Sequence, residues 1–96
     1  MSRENLISIL NDHKVELYNQ GVKSLAVFGS VARGDNSPQS DVDILVEFDH
    51  PVGLFEFIRL KHFLERMVGC EVDLVTLDAL RPMMRERIMK EAIYVR

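Results

Sequence analysis

The sequence predicts a small α/β domain in which helices pack against one mixed β-sheet. Three observations support this class. The chain has 96 residues, of which 47% are hydrophobic, enough for one domain with its own core. Short apolar runs bounded by glycine or aspartate are typical of buried strands, and apolar residues between them recur at helical spacing. We therefore expect the order α-β-β-α-β-α within one domain over residues 1–96.

The first helix is predicted to begin after Ser2 and to end before Gly21. Ser2 is a favourable N-cap, and Gly21 supplies a stop. The apolar positions recur at helical spacing: Leu6, Ile9, Leu10, His13 and Leu17. Because His13 lies on this apolar face, we expect a packed or boundary histidine rather than a catalytic one. A short apolar strand over residues 24–28 follows and ends at Gly29.

A helical turn over residues 30–33 and a turn-rich loop over residues 35–40 lead into the second strand, predicted over residues 41–48. One face of that strand is apolar, with Val42, Ile44, Val46 and Phe48. The other face begins with Asp41 and Asp43. A strand with two carboxylates at its start is unusual, because nothing structural requires charges at the edge of a buried sheet.

The remaining pattern predicts a helix over residues 53–68, a third strand over residues 70–76 and a last helix from Pro82. Proline is acceptable in the first turn of a helix. The last helix is expected to present four apolar residues: Met83, Met84, Ile88 and Met89. Residues 92–95 can add a short edge strand.

Composition excludes several classes of protein. A formal net charge of −3 argues against a surface that wraps nucleic acid. No apolar run approaches the roughly 20 residues that span a bilayer, and the N-terminus lacks the layout of a signal peptide. The chain has one cysteine, Cys70, which we interpret as an inert buried thiol. A reducing cytoplasm is therefore the expected location.

Asp41 and Asp43 form the strongest functional signal. Residues two apart in a strand share a face, so these carboxylates lie a few ångströms apart. Each raises the pKa of the other unless a cation separates them, and Mg²⁺ prefers such oxygen ligands. Asp73 reaches the same side if the third strand lies beside the second. The three then suit a two-metal phosphoryl- or nucleotidyl-transfer site, with Asp73 nearest the attacking hydroxyl. The alternative is three exposed carboxylates at strand ends.

Gly29 and Ser30 are the candidate phosphate-binding residues. Glycine allows close approach of the backbone, and the amides of the next turn, with the Ser30 hydroxyl, can bind anionic oxygens. Arg33 in the same segment is a further phosphate candidate. A plain turn is the alternative for a Gly-Ser pair by itself. Its place between a buried strand and a carboxylate strand favours the functional interpretation.

Gly29-Ser30, ten residues, and then Asp41-Val42-Asp43, with Asp73 in a later strand, resemble the signature of the DNA polymerase β nucleotidyltransferase superfamily. The segments 32–34, 40–46 and 72–75 narrow this to the minimal nucleotidyltransferases, and the resemblance covers nearly the whole chain. It implies the fold of that superfamily. It also implies nucleotide binding by Gly29 and Ser30, and two Mg²⁺ ions held by the carboxylates.

Many minimal nucleotidyltransferases are MNT antitoxins encoded beside a HEPN-domain RNase toxin. The resemblance implies transfer of AMP from ATP to a tyrosine hydroxyl of that toxin, which neutralises it. Two alternatives remain open: a non-catalytic antitoxin that acts by stoichiometric binding, and transfer to a small molecule such as an aminoglycoside. A second domain that would hold a small acceptor is not evident in a chain of this size.

A chain this short is expected to share its cleft with a partner, as a hetero- or homo-oligomer. Phe55 and Phe63 fall off the apolar stripe of their helix, so at least one is a candidate contact, although both can also widen a buried face. The last helix is basic, with Arg81, Arg85, Arg87 and Lys90. A solvated face is one interpretation of these charges, and contact with phosphate or an acidic partner is the other.

Overall fold

The computed structural model describes residues 2–35 and 41–95 and contains one four-stranded mixed sheet with helices packed against it, which confirms the predicted class. The strands are β1 (Val22–Phe28), β2 (Val42–Phe48), β3 (Val72–Thr76) and β4 (Ile93–Tyr94). The helices are α1 (Arg3–Asp12), α2 (Lys14–Asn19), α3 (Gly29–Arg33), α4 (Leu54–Val68) and α5 (Pro82–Glu91), with a 3-10 turn at Leu77–Ala79. Within the described ranges, no helix has the length and apolar character needed to cross a membrane.

The strand order β3-β2-β1-β4 brings three chain segments to one end of the sheet. Strand β2 is parallel to β3, so both strands begin at the same end. Strand β1 is antiparallel to β2 and finishes there, with Phe28 opposite Asp43. The two predicted carboxylate strands and the Gly-Ser turn after β1 therefore meet. The loop at residues 36–40, which the sequence predicts to be turn-rich, lies outside the described residues.

The predicted first helix is divided in two at His13. Ser2 caps α1 by accepting a hydrogen bond from the Asn5 amide (3.1 Å), as expected. The His13 amide donates a hydrogen bond to the Leu10 carbonyl (3.2 Å), which forms a tight turn at the end of α1. Its Nδ1 lies 2.9 Å from the Ile9 carbonyl oxygen, and its ring packs edge-on against Phe63 with centroids 6.4 Å apart. His13 is thus a partly buried, packed histidine, as expected, whereas the helix break at this position was not predicted.

The two faces of the sheet are covered unequally. Helices α1, α2 and α4 bury the larger cluster, which includes Leu6, Leu10, Ile44, Leu60 and Leu64. The opposite face carries a small cluster of Ala26, Phe28, Leu45 and Ile88 under α5. Since side chains alternate along a strand, Asp43 lies on this thinner face with Leu45. The candidate carboxylates are therefore on the side of the sheet that has least cover.

The apolar residues of helix α5 differ in burial. Of the four that the sequence places on this helix, only Ile88 is buried, and Met83 is 86% exposed. The reason is the small size of the cluster beneath the helix, which accepts one large side chain. Met84 and Met89 are also exposed, at 50% and 42%. The remaining predicted elements differ from the observed ones only at their ends.

Candidate active site

Asp43 and Asp73 are direct neighbours on adjacent parallel strands. They are register partners between β2 and β3, so their side chains project from the same face of the sheet. The predicted placement of the third strand beside the second is therefore correct. Asp43 is half-buried, and this burial, followed by the interaction with the neighbouring Asp73 carboxylate, raises the pKa of Asp43 to about 6. Asp41 adds a further, weaker contribution in the same direction.

Asp41 takes a different position from the other two carboxylates. It is exposed and lies just before β2, within electrostatic range of Asp43 but outside the Asp43–Asp73 register pair. Over residues 2–35 and 41–95, no three acidic, histidine or cysteine side chains lie close enough together to ligate one ion. The structure thus brings two of the three predicted metal ligands into contact and leaves Asp41 at the edge of the site.

The chemistry of the pair fits a hard divalent cation. Two carboxylates this close are stable together only when they share a proton or have a cation between them. The donors are anionic oxygens, which Mg²⁺ and Ca²⁺ prefer over the nitrogen and sulfur ligands that select zinc. Arg33 opposes the rise in the pKa of Asp43 only as its smallest contribution. The pair therefore retains a strong preference for added positive charge.

Two hydrogen bonds hold the beginnings of the carboxylate strands. The Val42 amide donates to the Glu71 carbonyl (3.0 Å), which joins β2 to the residue before β3. The Val72 amide donates to Glu65 Oε2 (3.1 Å), which ties β3 to α4. Each amide belongs to the residue just before one of the paired aspartates. The backbone that carries the pair is therefore fixed from both sides.

Gly29 packs directly against Asp43. Its φ is +73°, a conformation in which a side chain is strained. A Cβ at this position would lie 2.9 Å from Cγ of Asp43 and closer still to its Oδ2. The sequence analysis expected a glycine that admits a phosphate; the structure gives it a steric role beside the carboxylate. Ser30, the next residue, is half-buried in the first turn of α3.

Arg33 is engaged by two carboxylates. Its Nε lies 3.3 Å from Asp35 Oδ2, and its Nη1 lies 3.2 Å from Glu91 Oε2. Hydrogen bonds to Asp35 and Glu91 raise the pKa of Arg33 above its ordinary value. Glu91 also accepts a hydrogen bond from the Gly29 amide (3.1 Å). Sequence reasoning missed Glu91, because a lone glutamate at the end of a helix carries no distinguishing spacing.

The two phenylalanines predicted as candidate partner contacts differ in their exposure. Phe55 is 82% exposed at the start of α4, whereas Phe63 is partly buried against His13.

On α5, Arg87 and Lys90 are exposed. Arg85 is half-buried, with its Nη2 on the Leu80 carbonyl (3.4 Å). Cys70 is half-buried, and burial raises the pKa of its thiol, consistent with an unreactive side chain.

Comparison with known proteins establishes the family to which this chain belongs. A sequence model described as a nucleotidyltransferase domain matches residues 7–95. The chain belongs to this nucleotidyltransferase family. The full-length resemblance predicted from the motif is thus confirmed, and the enzyme class with it. In this nucleotidyltransferase, the paired aspartates and the Gly-Ser turn lie at the same end of the sheet.

Three similar proteins illustrate the relationship. The protein adenylyltransferase MntA of Thermococcus cleftensis is 41% identical over 96 residues, which cover 99% of this chain and 97% of that protein. A solved structure described as a minimal nucleotidyltransferase superposes with a TM-score of 0.84 and 38% identity, covering 97% and 95% of the two chains. A chain in the complex of a tri-AMPylated HEPN toxin of Shewanella oneidensis with an MNT antitoxin superposes with a TM-score of 0.64. It is 20% identical, with 91% and 70% coverage, and shows a shared fold.

Proposed function

We propose that this nucleotidyltransferase transfers AMP from ATP to a tyrosine hydroxyl of a cognate HEPN-domain toxin and thereby neutralises the toxin. The observation that carries the proposal is the Asp43–Asp73 pair, in register at the sheet end where Gly29 and Ser30 begin α3. The full-length similarity to a protein named as an adenylyltransferase supports the same reaction. The AMPylated toxin in the Shewanella complex supports the class of acceptor.

The reaction replaces one phosphoanhydride bond by one phosphodiester bond. The tyrosine oxygen attacks the α-phosphorus of ATP, and the bond to the bridging oxygen breaks and releases pyrophosphate. The hydroxyl proton leaves the tyrosine, and Asp73, the outer member of the pair, is the group we assign to accept it. Two Mg²⁺ ions, when bound, would neutralise the phosphates and lower the pKa of the attacking hydroxyl. Asp41, Asp43 and Asp73 are the residues that would hold them.

The triphosphate is assigned to the segment after β1. Ser30 supplies a hydroxyl at the beginning of α3, and Gly29 keeps the backbone close to Asp43. Together they would hold the phosphates next to the carboxylates. Arg33 was also predicted as a phosphate ligand. Its guanidinium is bound by Asp35 and Glu91, so we assign it the weaker role of a nearby positive charge.

The open face of the sheet supports a protein acceptor. The carboxylates lie on the thinly covered side of the sheet, where α5 packs together with Leu77 and Leu80. A partner surface is the simplest means of excluding water from the reaction there. A stoichiometric, non-catalytic antitoxin is the second candidate, since Phe55 offers an exposed apolar contact at 82% exposure. A binding-only protein would not require the charged pair, whose like charges disfavour folding.

The deciding experiment supplies the purified protein with Mg²⁺, the HEPN protein encoded by the adjacent gene and ATP labelled at the α-phosphate. We expect label on the toxin, an added mass of AMP on a tyrosine and loss of RNase activity. ATP labelled at the γ-phosphate serves as a control and should leave the toxin unlabelled. Asp43→Asn and Asp73→Asn should each abolish labelling. Asp78→Asn, at an exposed aspartate after the far end of β3, should not.

Four outcomes would count against this function. Labelling from the γ-phosphate would indicate phosphoryl transfer instead. Labelling that survives Asp43→Asn would remove the pair from the reaction. Neutralisation of the toxin at equal amounts by the unlabelled Asp43→Asn, Asp73→Asn double variant would favour the stoichiometric antitoxin. Turnover of a free aminoglycoside without the toxin would favour a small-molecule transferase.

A further inference from the structure

Glu91 is a charged residue that neither the motif nor the proposed reaction uses. It is the last residue of α5, and its side chain is 22% exposed. Its Oε1 accepts a hydrogen bond from the Gly29 amide at 3.1 Å. Its Oε2 accepts another from Arg33 Nη1 at 3.2 Å. A single carboxylate thus contacts the first and last residues of α3.

The β-ladder explains how Glu91 reaches Gly29. Strand β4 pairs with β1 through Ala26↔Tyr94 and Val27↔Ile93. Continued by two residues, this antiparallel register places Glu91 opposite Gly29. The backbone cannot continue the ladder, because α3 begins at Gly29 and α5 ends at Glu91. The side-chain oxygen takes the place of the missing backbone acceptor, which a buried amide requires.

Gly29 is therefore held from two sides. Its α-carbon faces Asp43 so closely that a Cβ would lie 2.9 Å from the Asp43 Cγ. Its amide points to the opposite neighbour of β1, where Glu91 lies. Glu91 thus fixes the backbone segment that contacts Asp43.

We propose that Glu91 is a positioning residue that holds Gly29 against Asp43, so that the Gly29–Ser30 turn keeps its place relative to the Asp43–Asp73 pair. The consequence for AMP transfer rests on the proposed function, whereas the effect on Gly29 and on cation binding does not. The Gly29 hydrogen bond is the part that matters, and the ion pair with Arg33 is secondary, since Arg33 is half-exposed and also bound by Asp35.

Three substitutions separate these contributions. Glu91→Gln keeps an oxygen that can accept from the Gly29 amide and removes the charge that binds Arg33. Glu91→Asp keeps the charge but shortens the side chain by about 1.5 Å, so the carboxylate no longer reaches the amide. Glu91→Met keeps length and packing without an acceptor. Glu86→Gln, at an exposed glutamate on the same helix, is the matched control.

The first measurement follows hydrogen exchange of the Gly29 amide by NMR, together with titration of Mg²⁺ alone into each protein. We expect wild type, Glu91→Gln and Glu86→Gln to agree within about threefold in both quantities. Glu91→Asp and Glu91→Met should exchange at least about tenfold faster at Gly29, the rate expected for loss of one buried hydrogen bond. They should also bind Mg²⁺ several-fold more weakly. Thermal unfolding, followed at core amides far from Gly29, should keep an unchanged midpoint.

The second measurement is AMP transfer to the partner at varied ATP concentrations. Glu91→Asp and Glu91→Met should lower kcat by about 10- to 100-fold, the range for a misplaced catalytic group. Glu91→Gln should keep a kcat close to that of the wild type. If wild type transfers no AMP, the proposed function fails, and the exchange and Mg²⁺ data still decide the role of Glu91. Equal losses in Glu91→Gln and Glu91→Met, or unchanged Gly29 exchange and Mg²⁺ binding in Glu91→Met, would overturn the proposal.

Discussion

Asp43 and Asp73 are register partners on two adjacent parallel strands, with Asp43 half-buried and Asp73 exposed beside it. Burial and the neighbouring charges raise the pKa of Asp43 to about 6. The metal-free protein therefore carries an electrostatic cost at neutral pH that a structural residue would not impose. Such a cost is typical of a site selected for chemistry at the expense of stability.

Replacing Asp43 by asparagine should stabilise the metal-free protein at neutral pH. The pKa of Asp43 rises from its ordinary 3.8 to about 6 on folding, so the folded state holds the proton more tightly. Asp43 contributes this stability fully below pH 4, and the contribution disappears as pH rises through 6. After allowance for solvent screening, Asp43→Asn should add about 1 kcal/mol at pH 7.

Urea unfolding in the presence of a chelator at pH 4 and pH 7 measures this effect. The gain should shrink towards zero at pH 4, where Asp43 is largely protonated in the wild-type protein. Asp78→Asn, at an exposed aspartate, should show no such pH-dependent gain. A loss of stability in Asp43→Asn at pH 7 would mean that the paired carboxylates stabilise the fold.

Alanine at position 29 should cost more than alanine at a comparable glycine. Gly29 and Gly69 both have positive φ values, +73° and +75°. An added Cβ at Gly29 collides with Asp43, whereas nothing lies within 4 Å of one at Gly69. Gly69→Ala should cost about 1 kcal/mol from backbone strain, and Gly29→Ala more than about 2 kcal/mol.

Chemical denaturation of both variants checks this difference, and Mg²⁺ titration adds a second readout. Gly29→Ala should weaken Mg²⁺ binding because Asp43 must move, while Gly69→Ala should leave it unchanged. Equal stability losses would show that Asp43 moves aside without cost.

The two faces of the sheet should respond differently to truncation. Leu64 is fully buried in the larger cluster, and Leu64→Ala should lower the free energy of unfolding by about 2–5 kcal/mol. Met83 is 86% exposed on α5, and Met83→Ala should change it by less than about 0.5 kcal/mol. Thermal or urea unfolding distinguishes the two. A large loss in Met83→Ala would show that this exposed side chain contributes to packing.

Substitutions at Phe55 and Phe63 should also differ in their effect on stability, and Phe55 is the one expected to affect binding of the proposed partner. Phe55→Ser removes an 82% exposed ring and should change stability by less than about 0.5 kcal/mol. Phe63→Ala removes the ring that packs on His13 and should cost about 1–2 kcal/mol. Affinity for the HEPN partner, measured by calorimetry, should fall for Phe55→Ser. Unchanged affinity would place the interface elsewhere.

Local sequence pattern determined most of the fold of this protein. Alternation in β2 correctly assigned Val42, Ile44 and Val46 to the buried face, because side-chain direction in a strand depends only on parity. Ser2 and Gly69 marked helix ends correctly, because capping depends on adjacent residues. The break at His13 and the exposure of Met83 were not predictable in this way, since both depend on what packs against the helix.

The candidate site shows the same division between features set by local sequence and features set by tertiary packing. The sequence by itself determined that Asp41 and Asp43 lie at the beginning of one strand, that Asp73 lies within a later strand and that a Gly-Ser turn follows a buried strand, since these are properties of spacing. Only the tertiary structure decided which of them meet. The parallel register joined Asp43 to Asp73 and left Asp41 exposed. The antiparallel return of β4 brought Glu91 to Gly29 across 62 positions of chain, a contact that no local pattern encodes.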